Sequence, residues 1–184
     1  GTIRPMLASN LPTSIRLPTH MAFACVSAQQ SQIILAHMAD ADRPTSDALR
    51  MDAPALNAFL QQAFPKSSDG TRGTVILAEP GHVRMQLHTG EGHLRPGGIV
   101  SGPTQMALTD SAAYALVLAH IGPVAMAVTS SLNYQFLRPC RPGLITADAR
   151  LLRLGRRSAV LDVRVWTDHE NRPIGQASVT YMLP

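Results

Sequence analysis

Lysine is almost absent from this chain: Lys66 stands alone against fifteen arginines. Cysteine is nearly as scarce. Cys25 and Cys140 are too few for a disulfide framework and have no CxxC spacing, so a reducing, cytoplasmic compartment is the expectation. Aromatic residues make up only 4% of the chain. With no basic helix and no recognised recognition motif, that scarcity argues against a nucleic-acid partner despite the net charge of +4. No apolar run reaches the roughly 20 residues of a membrane-spanning helix, so no membrane partner is expected. GxSxG, P-loop and GxGxxG are all missing, and Gly97-Gly98 alone is no fingerprint. His82, His88 and His93 fit no metal-site spacing, so neither metal nor cofactor is expected. Cys140, beside Pro139 and with no evident base, reads as a structural thiol.

What remains is ordinary globular material. The 184 residues are 45% hydrophobic and 15% charged, enough for one domain with a real core. Residues 1–50 lack periodicity and are broken by Pro5, Pro12, Pro18 and Pro44. They read as an N-terminal extension outside the fold, poorly structured and of upstream or appended origin, with at most one helix at 29–41. Arg4 and Arg16 ahead of residues 21–28 resemble a signal sequence, but the apolar core is interrupted and no cleavage site follows. The domain is expected over 51–184.

There the pattern sharpens. Asp52 can cap a helix over 53–63 with Pro54 in its first turn, and Leu56, Phe59, Leu60 and Ala63 share one apolar face. Residues 74–79 and 83–88 read as strands joined at Pro80-Gly81, and a Gly/Pro-rich loop at 90–98 leads to a long apolar helix. Four strand-like runs follow, at 125–136, 144–154, 158–167 and 173–182. In the third, Ala159, Leu161, Val163 and Val165 alternate onto one face. Asp168-His169-Glu170-Asn171 looks liganding but falls where a hairpin turn is needed. The order predicts an α+β fold: an antiparallel sheet of about six strands wrapped around one long central helix.

From residue 96 through 137 the only formally charged side chain is Asp110, inside the helical pattern. Met106, Ala107, Ala113 and Tyr114 lie one turn away, and no Arg or Lys does. An ionised carboxylate is costly to bury unpaired, so Asp110 either has a distant partner or faces a site. Ser101-Gly102-Pro103 at the helix entry offers a cap, a glycine allowing close approach, and a first-turn proline. Its free N–H groups suit an oxyanion or carbonyl oxygen, although plain capping also explains them. Gly102 and Asp110 are eight residues apart, about 12 Å along the axis. One chain therefore cannot bring both to one carbonyl, whereas two antiparallel copies of the helix across a two-fold axis can. If the protein is an enzyme, it is a dimer.

His93-Leu-Arg-Pro-Gly-Gly-Ile-Val-Ser-Gly-Pro-Thr-Gln-Met-Ala-Leu-Thr-Asp110, Gly122-Pro-Val-Ala-Met-Ala-Val-Thr-Ser-Ser-Leu-Asn-Tyr-Gln-Phe-Leu-Arg-Pro139 and Ala177-Ser-Val-Thr-Tyr181 resemble the hotdog-fold acyl-CoA thioesterases of the PaaI (phenylacetate-pathway) type. The resemblance spans about 52–184. It implies hydrolysis of acyl-CoA by a homodimer or homotetramer. Asp110 matches the nucleophile or general base, Gly102 the oxyanion-hole glycine and Thr129 a hydroxyl that positions water. Two positions depart from the family. Ser101-Gly102-Pro103 replaces His-Gly-Gly, and Arg95 stands where Asn supports the thioester, able either to donate to a carbonyl or to pair with Asp110. Ser101 and Pro103 flank Gly102 on the substrate side. Met106, Tyr114 and Val117 are candidates for an acyl channel, with core packing an equal explanation. Arg138, Arg141, Arg156 and Arg157 are candidates for CoA phosphates, the turn pair Arg156-Arg157 foremost, with solvated turns as the alternative. A non-catalytic hotdog module binding acyl-CoA is the competing function. A hotdog dehydratase is disfavoured, because His93 is poorly spaced from Asp110.

Overall fold

A computed structural model describes residues 49–65 and 73–184. The expected 29–41 helix and the signal-like segment at 21–28 lie outside the described residues. Helix α1 spans Ala53–Ala63, and the Asp52 carboxylate caps it by accepting the Ala55 N–H at 3.0 Å. Leu56 and Leu60 are buried, Phe59 is partly buried and Ala63 is exposed, so the apolar face is one residue shorter than its periodicity suggests. Residues 49–51 already join the fold. The Arg50 N–H reaches the Ala119 carbonyl at 2.8 Å, and the Met51 side chain is buried.

Strands β1 (Thr74–Glu79) and β2 (His82–His88) form the expected hairpin. Gly81, at φ 74°, supplies the left-handed conformation its turn requires. The Gly/Pro loop is more ordered than its composition suggests. It contains a single 3-10 turn at Glu91–His93 and a two-residue hairpin of β3 (Leu94–Arg95) with β4 (Ile99–Val100), turning at Gly97 and Gly98, both with positive φ. Helix α2 then runs Gly102–Ile121, followed by β5 (Val128–Phe136), β6 (Leu144–Leu154), β7 (Ser158–Trp166) and β8 (Gly175–Met182). The expected starts at 125 and 173 come late because residues 122–127 and 173–174 serve as connections. The six long strands form one antiparallel sheet in the order β1-β2-β6-β7-β8-β5, and α2 packs against it. The fold is the α+β arrangement the sequence predicts.

The two edges of the sheet are finished differently. Beside β1, Asn57 of α1 donates through Nδ2 to the Val75 carbonyl and accepts the Val75 N–H through Oδ1, both at 2.9 Å. That side chain stands in for a neighbouring strand. Strand β5 has nothing comparable among the described residues. It is nine residues long, free of charge and proline, and exposed at every position except Leu132 and Tyr134, which are partly buried. An uncovered edge of this kind is a template for pairing with another strand.

Candidate active site

Helix α2 changes character along its length. Pro103, Met106 and Ala107 are exposed, Asp110 and Ser111 are half-buried, and every residue from Ala112 to His120 is buried. Asp110 therefore closes an exposed stripe instead of sitting among buried apolar groups. The helix keeps turning one face outward until that carboxylate, and two hydroxyls hold it. Thr129 of β5 donates through Oγ1 to Asp110 Oδ1 at 2.7 Å, and the Tyr181 hydroxyl of β8 donates to the same oxygen at 2.8 Å. Strand pairing makes this possible, since Thr129 and Tyr181 face each other in the β5–β8 ladder. Tyr181 is buried and stacks on Tyr114, with ring centroids 5.9 Å apart. Burial, and then the neighbouring Asp110 charge, push its hydroxyl well above the usual phenol range, which keeps it a donor. Both donors converge on Oδ1, and among the described residues Oδ2 has no partner. The carboxylate is oriented with one oxygen free.

At the other end of the exposed stripe lies the helix entry. Ser101 caps it, its Oγ 3.3 Å from the Thr104 N–H and 2.8 Å from Thr104 Oγ1. The Gln105 N–H bonds the Ser101 carbonyl at 3.2 Å, and Pro103 has no N–H. Of the amides opening the helix, only Gly102 N–H finds no acceptor among the described residues. Little room surrounds it: a Cβ at Gly102 would lie 3.1 Å from Phe136 Cζ. A groove of about 660 Å3 opens here, lined by Arg95, Ile99, Val100, Ser101, Gly102, Pro103, Gln105, Phe136, Leu137, Arg138, Pro139 and Cys140. Its floor is braced by the Tyr134 hydroxyl donating to Gln105 Oε1 at 3.0 Å and by Gln105 Nε2 donating to the Val100 carbonyl at 3.2 Å. Cys140 contributes no nucleophile, because burial pushes its thiol up to about 11.

The residues singled out from sequence fall into separate places. Arg95, Ser101, Gly102, Pro103 and Arg138 meet at the groove, while Asp110 and Thr129 meet farther along α2, outside it. Arg95 is not the partner of Asp110 within one chain; the two hydroxyls take that place. The Ser101 hydroxyl is spent on capping. Tyr114 is buried against Tyr181 and Phe64, and Val117 is fully buried. Met106 is exposed on the α2 stripe. Arg156 and Arg157 are exposed at the β6–β7 turn and line neither groove described for this chain. Sequence reasoning missed Tyr181 as a donor. Its only signal was a tyrosine in the inward register of a closing strand, which reads as core.

The chain is similar in sequence and fold to known proteins. The model of the thioesterase superfamily matches residues 97–174, a stretch that includes Gly102, Asp110 and Thr129. A crystal structure of a protein from Silicibacter sp. TM1040, described as a thioesterase, is 38% identical with a TM-score of 0.69, over 76% of this chain and 96% of that one. A phenylacetic acid degradation-related protein from Ralstonia eutropha JMP134, also described as a thioesterase, is 25% identical with a TM-score of 0.60, over 69% of this chain and 100% of that one. A protein of Saccharolobus solfataricus named as an esterase is 28% identical over 93 residues, which are 50% of this chain and 61% of that protein's length.

Proposed function

The chain belongs to the thioesterase superfamily, with the hotdog fold, and from that premise we propose that it hydrolyses acyl-CoA to a carboxylic acid and free CoA. The working unit is a two-fold dimer in which Asp110 of one subunit acts on a carbonyl held at Gly102 of the other. The observation that carries this reading is the pair of half-sites on α2: a carboxylate with one oxygen free, and a single amide with no acceptor.

The open β5 edge supports the same assembly. Gly102 lies against Phe136, and Asp110 is bonded to Thr129. Antiparallel pairing of two β5 strands with Asn133 opposite its own copy brings the bulged Thr129–Ser130 pair of one strand opposite Phe136 of the partner subunit. That register places each Asp110 beside the partner's Gly102 and generates two equivalent sites.

In such a site the Gly102 N–H, at the positive end of the helix, stabilises the oxygen that becomes negative as the carbonyl carbon turns tetrahedral. Asp110 Oδ2 either attacks that carbon, giving an anhydride that water opens, or takes a proton from the attacking water. Both routes expel CoA thiolate, which leaves protonated, and consume one water. Asp110→Asn keeps the shape of the side chain and removes the base. Thiol release over a panel of short, medium and aromatic acyl-CoAs is expected to fall by about three orders of magnitude or more. Turnover unchanged in the purified variant would sink the assignment, and no turnover of any acyl-CoA by the wild-type chain would favour a binding module.

A further inference from the structure

A second groove, of about 510 Å3, lies between the β5–β6 and β7–β8 connections, bounded by Arg138, Arg141, Asp168, His169, Arg172 and Ile174. Three guanidiniums face one carboxylate, and Asp168 already accepts from Thr167 Oγ1 at 3.3 Å. Arg138 is tied down by donating to the Pro173 carbonyl at 2.6 Å, which joins the two connections. Arg141 and Arg172 are exposed, and their side chains make no hydrogen bond or ion pair among the described residues. Three guanidiniums against the single carboxylate of Asp168 leave this face net positive, so it gains from an incoming polyanion. Arg138 and Pro139 also wall the groove at Gly102, so the two grooves adjoin.

We propose that this second groove binds the nucleotide phosphates of the substrate, with Arg141 and Arg172 as the principal contacts and Arg138 as the shared post between phosphates and thioester. The proposal rests on the thioesterase reading and names the end of the substrate that reading leaves unplaced. Arginine suits the task because its planar fork meets phosphate oxygens in pairs. The nucleotide end of CoA carries several phosphates and matches a cluster drawn from two connections. The arm of an acyl-carrier protein offers a single phosphodiester, a poorer match. The placement also displaces Arg156-Arg157, the pair the sequence favours for this role.

The test is calorimetric binding of CoA, pantetheine and an acyl-carrier protein to the full chain, alongside thiol-release kinetics. Arg141→Ala with Arg172→Ala is expected to weaken CoA binding, and to raise the KM for acyl-CoA, about tenfold or more while kcat and pantetheine binding hold. Unchanged CoA affinity in that double variant overturns the proposal. So does a loss that appears in Arg156→Ala with Arg157→Ala instead, or carrier-protein binding that depends on Arg141 and Arg172 while CoA binding does not. If acyl-CoA is not hydrolysed but CoA affinity follows Arg141 and Arg172, the groove stands and the thioesterase reading falls. If acyl-CoA is hydrolysed with KM unmoved, the reverse holds.

Discussion

Asp110 is held by donors that a charge count does not reveal. A carboxylate on a helix without a basic neighbour invites the search for a distant arginine, yet two hydroxyls on facing strands serve instead. Each such bond to a charged group contributes about 1.5–3 kcal/mol, without neutralising the charge as an ion pair would. The distinction matters for function, since both bonds go to Oδ1 and leave Oδ2 available. Tyr181→Phe removes one donor and preserves the ring stacked on Tyr114. Turnover is expected to fall about tenfold with KM little changed, and unfolding free energy to drop by about 1–3 kcal/mol. Steady-state kinetics paired with urea unfolding separates the effects; a stability loss with kcat intact would make Tyr181 a core residue and nothing more.

At the scale of elements, α2 is fastened at both ends by side chains acting as backbone partners. Ser101 caps its start, and near its end the buried His120 accepts the Gly81 N–H through Nε2 at 2.9 Å, latching the helix to the β1–β2 turn. Burial lowers the His120 pKa below its ordinary value of 6.5. The folded chain therefore binds that proton less readily than the unfolded chain does. The latch's stabilisation is fully present above pH ~6.5 and is lost as pH falls below it. Asp148 marks a lower window. Burial alone would raise its pKa, but hydrogen bonds and charges from His82 and Arg84 bring it below the ordinary value, so its contribution fades only beneath pH ~4. Thermal melts at pH 8 and 5.5 are expected to show a drop in Tm that His120→Gln reduces; an equal drop in that variant would assign the loss elsewhere.

Elements of this kind were legible because period and punctuation agree. Alternation in β7, Asp52 before Pro54 and Ser101 before Pro103 each fix a boundary locally. The small β3–β4 hairpin was not legible, since two-residue strands carry no period and Gly97-Gly98 reads simply as loop. Gly102 and Asp110 were legible as candidates for the two half-sites proposed above. The partners of Asp110 and the basic groove depend on which strands and connections become neighbours, and no local pattern encodes that. Asp168–Asn171 is indeed a turn, yet it also supplies two residues to the groove.

At the scale of the whole molecule, among the described residues the sheet has one edge closed by Asn57 and one left open at β5, and α2 carries the Asp110 carboxylate and the Gly102 amide that the proposed dimer joins into sites. The central claim is that these two groups meet only between subunits. Subunit complementation tests it most directly. Asp110→Ala and Gly102→Val chains, each expected to be inactive alone, are co-folded in equal amounts. Half of the dimers are then mixed and each mixed dimer has one intact site, so the account predicts about one quarter of wild-type thiol release. Activity no greater than the sum of the two separate variants, in a sample shown by mass to contain mixed dimers, would contradict it.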